Sequence, residues 1–138
     1  MKNKPDNRGE RSMGSSAIDN AGHIHFIGVG GVGVSRLAQL FLGRGIVVSG
    51  SDEQENVRTR KLRTLGARIY RGHDASYIEG ADLVCYSSAV TKDNPEYRAA
   101  RDRGVALIRR GELLAEMLKG KTVYAVAGSH GKTTVTAW

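Results

Sequence analysis

The strongest constraint on the fold is a glycine-rich run of six residues, Gly28-Val29-Gly30-Gly31-Val32-Gly33. A short β-type run, residues 23–27, precedes it, and residues 35–42 follow it with Leu37 and Phe41 at helical spacing. A strand that turns through glycines directly into a helix is typical of the first unit of a phosphate-binding α/β domain. A tight turn with a purely structural role is the alternative.

Short β-type runs and helix-type segments alternate along the rest of the chain. The predicted strands cover residues 23–27, 46–49, 67–70, 83–87, 105–108 and 122–127. The predicted helices cover residues 35–42, 56–65, 95–103 and 112–118, and Asn94, Pro95 and Gly104 supply the start and stop of the third. This order predicts an α/β fold, a Rossmann-like parallel sheet with flanking helices.

Apolar side chains at helical spacing predict which face of each helix is buried. The predicted buried residues are Leu37, Leu40 and Phe41 in the first helix, Val57, Leu62 and Leu65 in the second, and Leu114, Met117 and Leu118 in the last. The arginines of the second helix lack interleaved aromatic residues, so they indicate a solvated face rather than a nucleic-acid surface.

The composition limits the class of protein. A chain of 138 residues that is 40% hydrophobic has material for one ordinary globular core. The net charge of +7 favours anionic partners, although charge alone does not separate nucleotides from nucleic acids or acidic membranes. No apolar run approaches the ~20 residues of a membrane span. We therefore expect a cytoplasmic protein with no membrane or nucleic-acid partner.

Two further features fit this class. The single cysteine, Cys85, lies in an apolar run and is predicted to be a small buried hydrophobic residue, which suits a reducing compartment. His23 and His25 alternate along the first strand and are interpreted as ordinary strand residues rather than metal ligands. Residues 1–20 are polar and aperiodic, and are expected to form a flexible tail.

Each glycine of the first loop has a predicted task. Gly28 would permit the tight turn, Gly30 would let the backbone approach a diphosphate, and Gly33 would let helix and strand pack closely. Asp52, about twenty positions on, is placed to accept hydrogen bonds from a ribose hydroxyl, or to cap a helix. A nicotinamide-dependent oxidoreductase would satisfy these features equally well.

A second glycine loop distinguishes the alternatives. Residues 128–134, Gly128-Ser129-His130-Gly131-Lys132-Thr133-Thr134, follow the last predicted strand and contain the Gly-Lys-Thr core of a phosphate loop. In such loops the lysine neutralises the terminal phosphates of ATP and the threonine hydroxyl holds Mg²⁺. The spacing is a variant, because the usual first glycine would stand at Val126.

The two loops and the segments between them resemble the Mur ligases over about residues 22–138. The matching segments are His25-Phe26-Ile27 with the first loop, Ser49-Gly50-Ser51-Asp52, Gly72-His73, Ser87-Ser88-Ala89-Val90, Asp93-Asn94-Pro95-Glu96, Leu114-Ala115-Glu116-Met117 and the second loop. Val34 departs from the methionine often found there. Within the family the chain is most similar to the branch that adds L-alanine.

The resemblance implies an ATP- and Mg²⁺-dependent ligase whose partners are UDP-N-acetylmuramate and L-alanine, acting through an acyl phosphate. It implies that the amides of Gly30, Gly31, Val32 and Gly33 bind the UDP diphosphate, that Asp52 holds the ribose, and that His73 and Ser87 line the UDP-sugar site. It also implies that Lys132 acts on the transferring phosphoryl group and that Thr133 ligates Mg²⁺. For Arg110 two alternatives stay open, contact with a phosphate or a solvated position.

The resemblance also divides the chain. Residues 1–20 are the expected tail, residues 21–119 the UDP-sugar-binding domain, and residues 120–138 the start of an ATP-binding domain. We expect the chain by itself to lack ligase activity, and the apolar face of residues 122–127 to find another surface, a second copy of the chain included. A non-catalytic nucleotide-binding module is the remaining alternative.

Overall fold

The structure is a computed structural model and describes residues 18–118. Five strands are present: β1 His23–Ile27, β2 Val47–Asp52, β3 Arg68–Arg71, β4 Leu83–Tyr86 and β5 Ala106–Arg109. The helices are α1 Val32–Gly43, α2 Val57–Thr64, α3 Pro95–Arg103 and α4, residues 110–118, with a helical turn at Ile18–Asn20 and a 3₁₀ turn at Ala75–Ile78. The strands form one parallel sheet in the order β3-β2-β1-β4-β5. The predicted α/β fold is confirmed.

Helices cover both faces of the sheet. On one face, Phe26 of β1 packs with Phe41 of α1, Leu62 of α2 and Leu113 of α4, all fully buried. On the other face, Ile27 and Val84 pack against Ala99 and Ala100 of α3 and against Ile78. This arrangement explains why β1 is buried over almost its whole length, as central parallel strands are.

The helix ends follow the sequence closely. The Asn56 side chain accepts from the amides of Arg58 and Thr59 in a capping box at the start of α2. The Asn94 side chain caps α3 by accepting from the amides of Glu96 and Tyr97, Pro95 is the first residue of this helix, and Gly104 ends it in the left-handed conformation at φ +75°. The predicted boundaries of α3 are therefore confirmed.

The predicted buried faces of the helices are partly wrong. Leu40, Val57 and Leu65 are exposed by 46%, 64% and 49%, and in α4 Leu113 is fully buried whereas Leu114 is only partly so. Val57 is the first residue of this eight-residue helix and Leu65 is its C-cap, so the two lie at opposite ends of α2. Thr59 and Leu62 therefore form its buried side.

Strand β2 continues to Asp52, three residues beyond the predicted end. It does so because Gly50 and Ser51 pair with Phe26 and Ile27 of β1, which carries the sheet up to the glycine loop. The predicted strand 122–127, the second glycine loop and most of the expected tail lie outside the described residues. Within residues 18–118, no helix has the length and apolarity needed to cross a membrane.

Candidate functional site

The first glycine loop joins β1 to α1 at the carboxyl edge of the sheet. Gly28 has φ +78°, which favours glycine, and the amides of Gly28 and Val29 donate to the Ser51 carbonyl at 2.8 and 2.9 Å. Helix α1 begins at Val32, and its N-cap, Gly31, provides no side-chain cap. The amides of its first turn therefore lack intrahelical acceptors and, with the positive end of the helix dipole, form a site suited to an anion.

Gly30 is held from two sides. Its amide donates to Asp52 Oδ2 at 2.8 Å, and its carbonyl accepts from Arg58 Nε at 2.6 Å and Asn56 Nδ2 at 3.2 Å. A Cβ at this position would lie 2.8 Å from Asp52 Oδ2. The close approach that requires glycine here is thus to Asp52 and Asn56, and not only to a ligand.

The loop amides expected to bind a diphosphate differ in their partners within the chain. The Gly30 amide is used by Asp52, and the Gly31 amide donates to the Gly28 carbonyl at 3.2 Å. Of the four amides expected to face a diphosphate, those of Val32 and Gly33 remain, followed by that of Val34 in the same turn. The free donors therefore lie one step further along the chain, inside the helix.

Two arginines lie against the loop. A Cβ at Gly33 would be 3.1 Å from Cδ and from a guanidinium nitrogen of Arg110, so a flexible side chain, and not the predicted strand, occupies this space. Arg58, in α2, contacts the loop by donating from Nε to the Gly30 carbonyl. The sequence did not decide between a phosphate contact and a solvated position for Arg110. It also did not distinguish Arg58 from Arg60 and Arg63, because only the tertiary fold brings Arg58 to the loop.

A buried polar network lies beneath the same edge, between the sheet and α3. The fully buried carboxylate of Glu96 accepts from His25 Nε2 at 2.6 Å, Ser51 Oγ at 2.6 Å and His73 Nδ1 at 2.8 Å. Ser49 Oγ joins His25 Nδ1 at 2.7 Å to His23 Nε2 at 2.8 Å. His25 is therefore a fully buried network member, which alternation along a strand did not reveal.

The network determines the charge of its central group. Burial raises the pKa of Glu96, but the hydrogen bonds from His25, Ser51 and His73 outweigh it and hold that pKa below its usual value. Glu96 is also the second residue of α3, where the helix dipole favours a negative charge. Glu96 is therefore ionised at neutral pH.

Other predicted residues have simpler surroundings. Ser87 Oγ accepts from the Ala89 amide at 3.3 Å, so it stabilises the turn after β4 at the carboxyl edge. Burial raises the pKa of Cys85 to about 12, as suits a small hydrophobic residue. In the part of the chain from residue 18 to 118, no three His, Cys, Asp or Glu side chains cluster as a metal site would require.

Comparison with known proteins places these features in a family. The model of the Mur ligase family catalytic domain matches residues 23–122. The chain is 51% identical over 115 residues to the UDP-N-acetylmuramate–L-alanine ligase of Persephonella marina, an alignment that covers 83% of this chain and 25% of that protein. The chain thus spans about a quarter of the length of this relative.

Solved structures give the same result for the fold. The UDP-N-acetylmuramate-alanine ligase of Thermotoga maritima superimposes with a TM-score of 0.68 at 39% identity, over 70% of this chain and 23% of that one. The UDP-N-acetylmuramate:L-alanyl-gamma-D-glutamyl-meso-diaminopimelate ligase of Neisseria meningitides superimposes with a TM-score of 0.59 at 28% identity, over 64% and 28%.

Proposed function

This chain belongs to the Mur ligase family, and from that premise we propose that it is the UDP-sugar-binding amino-terminal part of a ligase that joins L-alanine to UDP-N-acetylmuramate. Residues 21–119 form the UDP-sugar domain in this proposal, and residues 120–138 begin the ATP-binding domain. The observation that carries the proposal is the open first turn of α1, with Arg110 against it and Asp52 beside it.

The diphosphate is proposed to bind at this turn. The amides of Val32 and Gly33 donate to its oxygens, and Arg110 supplies a full positive charge next to Gly33. Arg58 supports the loop from the opposite side through the Gly30 carbonyl. This arrangement suits the two negative charges of a diphosphate diester better than a neutral ligand.

The nucleoside and the sugar are proposed to extend to either side of the diphosphate. Asp52 retains acceptor capacity beyond its bonds from the amides of Gly30 and Gln54, which allows its carboxylate to accept from a ribose hydroxyl. His73 and Ser87 follow β3 and β4 at the same edge, where open α/β sheets bind ligands. We assign both to the lining of the UDP-sugar site.

The ATP half of the proposal depends on residues 128–134, which lie outside the described residues. Lys132 is assigned to the phosphates of ATP and Thr133 to Mg²⁺, as the Gly-Lys-Thr core suggests. The remaining residues Gly128, Ser129, His130, Gly131 and Thr134 complete that loop. L-Alanine would be the second substrate of the whole enzyme.

Calorimetric titration of the 138-residue chain tests the proposal. We expect UDP-N-acetylmuramate to bind and NAD to bind at least tenfold more weakly, because the chain belongs to the Mur ligase family and its relatives are named for UDP-N-acetylmuramate. Arg110→Ala should weaken the UDP-sugar several-fold, since it removes the charge beside Gly33. Arg98→Ala, on α3, is the matched control with an unchanged Kd.

Tighter binding of NAD than of the UDP-sugar would reject the proposal in favour of a nicotinamide-dependent oxidoreductase. Binding of both ligands that is unaffected by Arg110→Ala would place the ligand away from the first turn of α1.

A further inference from the structure

The carboxylate of Glu96 is surrounded by donors. Oε1 accepts from His25 Nε2 and Ser51 Oγ, both at 2.6 Å, and Oε2 accepts from His73 Nδ1 at 2.8 Å and the Asp74 amide at 3.2 Å. An ionised carboxylate only accepts, so every one of these partners must donate. The proton of each group bonded to Glu96 is therefore assigned by the geometry.

This constraint fixes the tautomer of both histidines. His25 carries its proton on Nε2, so in the neutral ring Nδ1 accepts from the Ser49 hydroxyl at 2.7 Å. His73 carries its proton on Nδ1, which is also 3.2 Å from Ser51 Oγ, whose own proton goes to Glu96. In neutral His73 the Nε2 atom is consequently an acceptor.

His73 follows β3 at the carboxyl edge of the sheet, and its second ring nitrogen is free of partners in the described part of the chain. The Nδ1 atom points inward to Glu96, and the two ring nitrogens of an imidazole point in nearly opposite directions. The side chain keeps 19% of its surface exposed, and Nε2 has no protein partner anywhere in residues 18–118. Gly72, just before it, donates its amide to the Asp52 carbonyl at 2.7 Å, which ties this segment to the proposed ligand site.

We propose that Glu96 is a positioning residue that keeps the His73 proton on Nδ1, so that His73 binds an anionic oxygen of the ligand only as imidazolium and ligand binding takes up a proton. The ligand identity in this inference rests on the proposed function. A neutral His73 offers Nε2 as an acceptor and cannot donate to a phosphate or carboxylate oxygen. Protonation turns Nε2 into a charged donor.

The charged groups around His73 favour its protonation when an anionic ligand binds. Glu96 approaches from α3 and His25 from β1, while Asp52 ends the neighbouring β2. On its own segment, Arg71 lies two residues before His73, and the Asp74 carboxylate is engaged by Ser76. With both histidines neutral, Glu96 carries an unbalanced buried negative charge, and protonation of His73 balances it next to the incoming anion.

The tautomer is tested on the free protein, without any ligand. Long-range ¹H–¹⁵N correlation spectra of the 138-residue chain at pH 8 report which ring nitrogen carries the proton. We expect His73 to show the protonated Nδ1 form, and Glu96→Gln to give a mixture of tautomers because an amide can also donate. A His73 protonated on Nε2 in the unaltered chain would overturn the inference whatever happens to Glu96→Gln.

Proton uptake is tested by calorimetry in PIPES, HEPES and Tris at pH 7.5 and equal ionic strength. UDP-N-acetylmuramate is a suitable probe because its diphosphate diester has no proton to exchange near neutral pH. We expect net proton uptake on binding, seen as a dependence of the observed binding enthalpy on the ionisation enthalpy of the buffer. His73→Gln should bind more weakly with no uptake.

His23→Gln is the matched control, because His23 lies at the other end of the network, on the amino end of β1. It should retain the proton uptake of the unaltered chain. Binding of the UDP-sugar without uptake, or uptake that persists in His73→Gln, would overturn the inference and leave the proposed function standing. Failure of the unaltered chain to bind the UDP-sugar would reject the proposed function, and the tautomer measurement would then decide the role of Glu96 alone.

Discussion

At the scale of single residues, Val29 occupies the space that a side chain at residue 50 would need. A Cβ on Gly50 would lie 2.6 Å from Val29 Cβ and 2.8 Å from its Cγ2. Val29 is fully buried and belongs to the glycine loop, whereas Gly50 lies within β2. The absence of a side chain in the sheet therefore allows the loop to pack directly on it.

Gly50→Ala should destabilise the domain by about 1–3 kcal/mol, because the added methyl group forces the Val29 backbone or the strand to shift. Gly43→Ala is the matched control, since a Cβ there meets nothing within 4 Å and the residue is helical. It should be neutral or stabilising by up to about 1 kcal/mol. Urea unfolding measures both, and a cost below about 0.5 kcal/mol for Gly50→Ala would contradict the packing argument.

Asp52→Ala should weaken UDP-N-acetylmuramate binding by about 1–3 kcal/mol, roughly 5- to 150-fold. The substitution removes the proposed ribose acceptor and also releases the Gly30 amide, to which Asp52 Oδ2 is bonded at 2.8 Å. The adjacent Glu53 is exposed, so Glu53→Ala controls for the loss of a negative charge. Equal Kd values for the two variants, measured by calorimetry, would remove Asp52 from the site.

At the scale of elements, the start of α2 has two separate tasks. The side-chain oxygen of Asn56, Oδ1, caps the helix by accepting from the amides of Arg58 and Thr59. Its Nδ2 donates to the Gly30 carbonyl at 3.2 Å and so attaches the helix to the glycine loop. Serine can perform the first task but is too short for the second.

Asn56→Ser should therefore retain most of the stability of the domain and weaken the UDP-sugar several-fold. Asn56→Ala loses the cap as well, at a further cost of about 0.5–2 kcal/mol in the free energy of unfolding. Thermal unfolding and calorimetric titration of the two variants separate the effects. If Asn56→Ser binds as tightly as the unaltered chain, the bond to Gly30 does not support the site.

The boundaries of α3 were more predictable than the buried faces of the helices. The caps Asn94 and Gly104 act through their own backbone neighbours, so local sequence determines them and the predicted α3 is confirmed. Burial of Val57 and Leu65 depends on how far α2 overlaps the sheet, which no local pattern contains, and both are exposed. The apolar periodicity identified α2 as a helix but did not show which of its apolar residues are buried.

At the scale of the whole molecule, the candidate site is assembled from the ends of several strands. The glycine loop and Asp52 were predictable because a βαβ unit brings them together through consecutive elements. The bond between Glu96 and His25 joins residues 71 positions apart and depends on how α3 packs against β1. Such contacts follow from tertiary packing, so no local sequence pattern connects a helix-start glutamate with a strand histidine.

Glu96 should also govern the acid stability of the domain. Its pKa is lowered in the folded state, so its contribution is present above the unfolded value of about 4.5 and is lost as the pH falls through the lower, folded value. Urea unfolding between pH 7 and 3 should show a smaller loss of stability below pH 4.5 in Glu96→Gln than in the unaltered chain. Glu53→Gln, which alters an exposed carboxyl, should follow the unaltered chain; identical acid profiles for all three proteins would contradict the assignment.

The last prediction concerns turnover by the 138-residue chain. We expect it to bind UDP-N-acetylmuramate and to release no phosphate from ATP in the presence of L-alanine and Mg²⁺. The 115 aligned residues are 25% of the length of relatives with the ligase name, so these relatives have about 460 residues against 138 here, and most of their length is unmatched by this chain. A phosphate loop also depends on its strand being held in a sheet, since ordering each residue of an unsupported loop costs roughly 1–2 kcal/mol. A phosphate-release assay with the Thermotoga maritima ligase as positive control measures this. Turnover that disappears in Lys132→Ala would show that residues 128–134 form a competent ATP site within these 138 residues.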